Sequence, residues 1–291
     1  MVRLQPFIDA DVLRYEVGFG SEFKEPDGST TINGFDSVLE LLERKVKEIV
    51  TETDSTETPV FYLSAGSSMI EQINKRRIKD SIEIIEWKPN YREAIAVTKP
   101  YKGNRTNSKP FHFDNLSMYI YNNYDCKLAI GLEADDLISI DSNLSNLTTN
   151  STGVRPIICS RDKDLKITPG LHYGWACGKS PSFPVREITK LGFLEEPKKG
   201  KLVGGGLMFF FAQVLMGDST DNIPGLQGYG PVASYKLLKD CSTEEEMYKV
   251  VCNEYLVRNN ATKDYFKEQM NLLWICQEMD DGVPVMYKEP I

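Results

Sequence analysis

Histidine is almost missing from this chain: His112 and His172 are the only two, each beside aromatic residues, where packing or a surface position is the expected role. Six cysteines (Cys126, Cys159, Cys177, Cys241, Cys252 and Cys276) include no C-x-x-C pair. A structural zinc site and a secreted disulfide framework are therefore not expected, and a reducing cytosol fits. No run of about 18 apolar residues occurs, so no membrane span is expected. The start, Met1-Val-Arg-Leu-Gln-Pro, lacks the basic and apolar regions of a secretory signal, and the mature chain is expected to begin here.

What is abundant is acid. The net charge is −8, which alone argues weakly against a nucleic-acid partner, but the charge is unevenly spread. From Lys75 to Lys109 there are ten Lys or Arg and four Asp or Glu, a local excess of six (10 − 4). Elsewhere the acids gather in four clusters: Asp9 and Asp11; Glu133, Asp135 and Asp136; Asp162 and Asp164; Asp218 and Asp221. Each falls where an apolar run ends or a helical pattern begins. Strand ends on one edge of a parallel sheet are where α/β proteins place their chemistry. Carboxylates drawn together repel unless protonated or bridged by a cation, and hard oxygen donors suit Mg²⁺ or Mn²⁺. The pattern reads as a two-metal phosphoryl-transfer site.

With 291 residues and 41% hydrophobic content, the chain can bury a substantial core as one large domain or a core with an appendage. Strands are expected at 4–8, 59–63, 156–160 and near 171–176, with a short alternating one at 82–86. Between them, helical spacing marks 35–50, 69–77 and 134–147, the last followed by a Ser/Thr/Asn-rich loop; residues 11–31 read as a helical start and then a loop. Strands separated by helices imply an α/β fold with a mixed, mostly parallel sheet. Residues 88–128 break the rhythm with prolines, bases and aromatics, and are expected to supply an arch or loop; such a mixture suits a solvated basic loop and also a single nucleic-acid strand. From 207 to about 277 the pattern is helical, broken at Gly217 and at 224–231, and a soft boundary is placed near 205.

Each motif has a plain structural alternative. Asp9, at a strand end before a helix, could simply be an N-cap. Glu133-Ala-Asp-Asp136 could decorate a helix dipole, although three carboxylates in four residues exceed what capping requires. Asp162-Lys-Asp164 also occurs in ordinary turns. Asp218 and Asp221 stand at i and i+3, on one face of a helical turn, where both could ligate one ion. The stretch from Gly217 to Pro231 is the most specific, with Gly225, Gly228 and Gly230 between two helices. Glycines let backbone groups approach a partner closely, so N–H groups there could hold a phosphate and carbonyls a K⁺ ion.

Taken in order, the Asp9 strand end, Tyr101-Lys-Gly-Asn-Arg105, Glu133-Ala-Asp-Asp136, Asp162-Lys-Asp164 and the Gly217-Asp-Ser-Thr-Asp221 segment resemble the flap endonuclease and 5′→3′ exonuclease family of structure-specific 5′ nucleases. The layout is most similar to the stand-alone phage enzymes. The resemblance implies a 5′-nuclease core over 1–205 with an arch at about 88–128. It also implies a helical region over 206–291 holding a helix-three-turn-helix element at about 219–240. Asp9, Glu133, Asp135, Asp136, Asp162, Asp164, Asp218 and Asp221 match the family's metal-binding acids, with Asp11 as a further candidate. Lys102 and Arg105 match its phosphate-contacting bases, while Tyr101, Gly225, Gly228 and Gly230 are further candidates for DNA contact. One departure stands out: an aspartate expected after the second strand is replaced in Leu63-Ser64-Ala65-Gly66. Asp11 could compensate, or one ion is held more loosely.

The implied activity is two-metal hydrolysis of phosphodiesters near the 5′ end of duplex or flap DNA, or of an RNA/DNA hybrid. The implied setting is the cytoplasm, that of the host if the chain is phage-encoded, with replication or recombination proteins as partners and no membrane. Two rivals remain: a haloacid-dehalogenase-like phosphatase, for which Asp9-Ala-Asp11 supplies a D-x-D motif, and a non-catalytic DNA-binding protein of the same fold, motivated by Ala65.

Overall fold

The computed structural model describes residues 2–106, 108–178 and 180–290. Met1, and Asn107 within the expected arch, lie outside the described residues. The chain opens with β1 (Arg3–Asp9), α1 (Ala10–Phe19), a hairpin of β2 (Glu22–Lys24) and β3 (Thr30–Ile32), α2 (Phe35–Glu52), β4 (Val60–Ser64) and α3 (Ser67–Lys79). Next come α4 (Tyr91–Ile95), α5 (Phe113–Asn123), β5 (Asp125–Ala129), α6 (Ala134–Thr152), β6 (Val154–Cys159), a 3₁₀ turn (Asp164–Ile167), β7 (Gly170–Gly174) and β8 (Phe183–Ile188). The remainder holds β9 (Phe193–Leu194), β10 (Gly204–Gly205), α7 (Gly206–Met216), α8 (Pro231–Leu238), α9 (Glu244–Asn253), a π-turn (Glu254–Arg258) and α10 (Lys263–Leu273). The short strands β11 (Met279–Asp280) and β12 (Val283–Pro284) follow.

Six strands form one sheet in the order β5-β4-β1-β6-β7-β8. The pairs β1–β4, β1–β6, β4–β5 and β6–β7 are parallel, as the alternation of strands and helices predicts. Winding runs outward from β1 through β4 to β5, then returns to β6 on the other side of β1. The carboxyl end of β1 is therefore the topological switch point, where open α/β sheets bind ligands, and its last residue is Asp9.

The chain divides into two compact units built from interleaved segments. The first comprises Met1–Asn90, Asn107–Asp162 and Leu171–Arg186; the second comprises Tyr91–Thr106, Lys163–Gly170 and Glu187–Ile291. The single boundary expected near 205 falls between β10 and α7, both of which lie within the second unit. In the first unit, Val38, Leu42 and Ile49 on one face of α2 pack with Ile8, Phe61, Leu116, Ile157 and Trp175. In the second, α7 is apolar nearly all round and is accordingly buried, its Phe210, Phe211 and Leu215 meeting Leu238, Met247, Tyr255 and Phe266. Ile95, Tyr101 and Ile167 pack into that same second core, which is why their short segments join it.

The fold differs from the sequence reading in four places. Residues 82–86 form no strand: Ile82 and Ile84 are exposed, and the Asn74 side-chain amide takes both the N–H and the C=O of Ile85 at 2.8 Å. The Ser/Thr/Asn-rich stretch after 147 continues α6 to Thr152, and Thr148, Thr149 and Thr152 turn their hydroxyls onto carbonyls of the preceding turn, where they do not compete for the helix N–H groups. Residues 22–32 form the β2–β3 hairpin, and β8 to β10 add strands where none were expected. Among the described residues, no helix is long and apolar enough to cross a membrane.

Candidate functional site

In the first unit, the buried Asp9 ends β1 and caps α1, as its plain structural reading requires. Its Oδ1 accepts the Val12 N–H at 3.1 Å, and its Oδ2 accepts the Ser160 hydroxyl at 2.6 Å. Ser160, just past β6, also accepts the Asp162 N–H at 2.9 Å, so one hydroxyl links the ends of β1 and β6. Capping does not exhaust Asp9. Burial, followed by the charge of Asp11 and more weakly that of Asp162, pushes its pKa up to about 7, against the lowering effect of the Ser160 and Val12 hydrogen bonds. A carboxylate this buried has reason to be ionised only with a cation.

Asp11 is differently placed. Its Oδ1 accepts the Ser64 N–H at 3.0 Å and pairs with Arg14 at 2.6 Å. Arg14 is itself buried, donating to Ser117 Oγ at 3.1 Å and lying 4.2 Å from the centre of the Phe113 ring. The Ser64 hydroxyl accepts the Ala134 N–H at 2.9 Å, tying the end of β4 to the start of α6. The Ser64-Ala65 departure thus carries a structural clamp, and Asp11 is committed to it. At the start of α6, Glu133 is the N-cap, and Asp136, fully buried, accepts the Glu133 N–H at 3.1 Å; Asp135 is half-buried on the same first turn.

The second unit holds the other acids. Asp218 accepts Lys163 Nζ at 2.7 Å and the Thr220 N–H at 2.7 Å, and its backbone exchanges two 2.8 Å hydrogen bonds with Ile223. Burial opposes ionisation of Asp218, but the Lys163 ammonium and the N–H groups of Thr220 and Asp221 outweigh it and hold the carboxyl below its usual range. Asp164 accepts the amide of the buried Gln213 and lies 3.7 Å from Lys163 Nζ. Asp221 meets the basic loop directly: Arg105 at 2.6 Å, the Tyr101 hydroxyl at 3.1 Å and Lys102 Nζ at 3.9 Å. The Lys102 N–H donates to the Asp221 carbonyl at 2.9 Å, and Asn104 Nδ2 to the Ser219 carbonyl at 2.7 Å. Tyr101, Lys102, Arg105 and Asp221, distant in sequence, thus meet in this unit, whereas Asp218 is buried against Lys163.

The three glycines expected to meet a partner differ in accessibility. Gly225 is interior: its N–H donates to Gln269 at 3.0 Å, its C=O accepts the Tyr265 hydroxyl at 2.6 Å, and an added Cβ would fall 2.2 Å from the Gly217 nitrogen. Gly228 and Gly230 have open space where a Cβ would stand, and Gly230 leads into α8 with Pro231 at its first turn. Of the packing or surface roles expected for the two histidines, both take the buried one; His112 Nε2 lies 2.8 Å from the Asn33 carbonyl. The sequence reading passed over Ser160, Lys163, Arg14 and Ser64. Lys163 stands inside the quoted Asp162-Lys-Asp164 motif and Ser160 at the end of its strand, so position could have flagged both; Arg14 stands three residues after Asp11, a helical pair spacing that could have flagged it too.

Among the described residues, no three Asp, Glu, His or Cys side chains are gathered closely enough to cage an ion as they stand. Asp9, Asp11, Asp136 and Asp218 are turned onto protein donors instead. The donor set is nonetheless all oxygen, and Asp9 has no cationic partner among the described residues, which fits a hard divalent ion.

No family model matches the chain. DNA polymerase I of Rhizobium leguminosarum is 32% identical over 121 residues, 40% of this chain and 10% of that protein. The chain therefore spans about a tenth of that relative's length. Among solved structures, a T5 protein co-crystallised with metal ions matches with a TM-score of 0.52 at 13% identity, covering 93% of this chain and 89% of that one. The T5 5′-exonuclease with divalent zinc bound matches with a TM-score of 0.50, again at 13% identity, 93% and 89%. At that identity the likeness establishes a shared fold.

Proposed function

We propose that the chain is a metal-dependent 5′ nuclease that hydrolyses phosphodiesters at or near the 5′ ends of duplex or flap DNA. The observation that carries this reading is Asp9: a buried carboxylate with no counter-cation among the described residues, at the switch point of a parallel sheet, pushed toward neutrality by burial first and then by Asp11 and, more weakly, Asp162. The fold shared with a T5 5′-exonuclease and the partial identity with a DNA polymerase I support it.

In this reading Asp9, Glu133, Asp135, Asp136 and Asp162 of the first unit hold one divalent ion. Asp164, Asp218 and Asp221 of the second serve another, with Mg²⁺ or Mn²⁺ suited to both sets. Bound ions supply an activated water and neutralise charge on the leaving oxygen. The chain's own part is to position and neutralise the phosphate. Lys102 and Arg105 present cations to it, Tyr101 fixes their loop through Asp221, and the Gly228–Gly230 turn presents backbone N–H groups to the duplex. Recognition through backbone groups reads shape and ends rather than sequence. A K⁺ ion at the glycine turn, activity on RNA/DNA hybrids, a cytoplasmic setting and partners in replication or recombination extend the same reading.

A weaker nuclease that chiefly binds DNA is the second reading, favoured by one observation: Asp11 is spent on Arg14 and Ser64, and so does not replace the acid missing at Ala65. The same commitment removes the second acid of the D-x-D motif a phosphatase would need. The deciding experiment is cleavage of a labelled duplex with a recessed 5′ end, beside a 5′ flap, in Mg²⁺, Mn²⁺ or EDTA. Metal-dependent release from the 5′ side is expected. Tight binding without cleavage selects the second reading, and neither binding nor cleavage refutes both.

A further inference from the structure

Between β9 and β10 the second unit projects a hairpin that nothing in the candidate site uses. Its base is tightly packed: a Cβ on Gly192 would fall 1.8 Å from the Gly205 carbonyl oxygen, and one on Gly204 would fall 2.7 Å from Leu194 and 2.8 Å from Phe209. Leu194 and Leu202 pack against the second core. The stem is held by Glu195 N–H to the Val203 carbonyl at 2.8 Å, and the tip by reciprocal Lys198 and Lys201 hydrogen bonds of 3.1 and 3.0 Å.

The two tip residues, Lys199 and Gly200, have φ of 50° and 72°, the signature of a type I′ turn. Glycine, asparagine or aspartate would adopt the first position with less strain, yet this chain places a lysine there. Lys198, Lys199 and Lys201 are all exposed, and among the described residues none has a carboxylate within ion-pair reach. Glu195 and Glu196 lie lower on the stem and make no pair with them. The space around Gly200 is open. In a chain of net charge −8, three unneutralised cations are thus held at the apex of a short, anchored hairpin.

We propose that this hairpin is a phosphate-contacting finger, with Lys198, Lys199 and Lys201 binding the sugar–phosphate backbone of duplex DNA. The inference rests on the nuclease reading, and it adds a duplex contact outside the glycine turn. A stacked single strand is disfavoured as the partner, because residues 195–203 contain no aromatic side chain on which bases could stack. Point charges on a rigid turn suit backbone phosphates, whose recognition needs no base contact.

The test is fluorescence anisotropy in EDTA with a labelled duplex bearing a recessed 5′ end, titrated from about 50 to 200 mM KCl. The full chain is compared with K198Q/K199Q/K201Q, with thermal melting as a folding control. Each phosphate contact contributes about 0.9 to the slope of log affinity against log salt. The triple variant should therefore flatten that slope by about 2 to 3, while affinity for a single strand of equal length changes little. An unchanged duplex slope overturns the finger, as does an equal flattening on single strands, which would reflect general charge. K199N, which relieves the backbone strain and removes one charge, should flatten the slope by about one. Mg²⁺-dependent cleavage by the unmodified chain, measured in parallel, keeps the two proposals apart: cleavage with an unchanged slope overturns only the finger, whereas no duplex binding and no cleavage overturns both.

Discussion

Glu268 on α10 receives two hydrogen bonds from Thr98 alone, from its N–H at 2.6 Å and its hydroxyl at 2.5 Å, and a third from the Val97 N–H at 2.7 Å. The carboxylate is buried and is satisfied by donors rather than by a cation. In return, Arg92 on α4, also buried, donates to the Leu272 and Trp274 carbonyls at the end of α10. These two side chains staple the segment that goes on to carry Tyr101, Lys102 and Arg105.

Glu268→Ala should therefore cost about 2–4 kcal/mol, since it orphans two buried N–H groups and one hydroxyl. Thr98→Val should cost less, and the two changes should couple by at least about 0.5 kcal/mol in a double-mutant cycle. Urea unfolding measures the energies, and hydrogen exchange should show faster opening across residues 97–105 in both variants. Additive energies with unchanged exchange would dismiss the staple.

Asp9 sets a pH dependence. Its folded-state pKa of about 7 lies above the ordinary 3.8, so the proton is bound more tightly in the folded chain. Its contribution to stability is fully present below about pH 4 and is lost as the pH rises through about 7. Asp9→Asn keeps the shape and removes the charge. In EDTA the variant should be more stable than the parent above pH 7, by an amount on the order of a few kcal/mol, and the gap should close toward pH 4. Urea melts across that range decide it; a gap that does not vary with pH would contradict the assignment.

Asp162→Ala should abolish metal-dependent cleavage while leaving duplex affinity in EDTA within about threefold, since the residue is assigned to the metal rather than to DNA. Arg105→Ala should do the reverse in part: weaker binding at low salt and a cleavage rate lower by about 10²-fold. Loss of DNA binding with retained cleavage in the Asp162 variant would refute its role.

The glycine turn separates fold from contact. Gly217 has φ of 71°, and a Cβ there would fall 2.3 Å from the Ile223 carbonyl oxygen; Gly228 has φ of 87° with open space around it. Gly217→Ala should cost more than about 2 kcal/mol and disturb the Asp218 pairing. Gly228→Ala should cost about 1 kcal/mol, with its main effect on duplex affinity. Equal destabilisation of the two variants in urea melts would show that the turn is not packed as described.

Much of the site was legible because its signals are local. Asp9 ends an apolar run that can only be a strand, and the glycines from 217 to 230 interrupt helical periodicity where the chain must turn. The interleaving of the two units was not legible, because it depends on where Tyr101 and Ile167 find apolar company. Nor could local pattern show that Lys102 and Arg105 face Asp221, since Arg105 lies 116 residues away.

By itself, then, the sequence determined the α/β class, the mostly parallel character of its main sheet and the identity of the acids, since periodicity and residue chemistry are properties of short segments. Only the tertiary structure decided which acids are committed to protein partners and which are not. Asp11 is clamped by Arg14 and Ser64 and Asp218 by Lys163, whereas Asp9 is buried on the neutral donors Val12 and Ser160, with no cation among the described residues. The protonation and reach of a carboxylate follow from what surrounds it, and apart from a neighbour such as Arg14, those surroundings are brought together by distant parts of the chain.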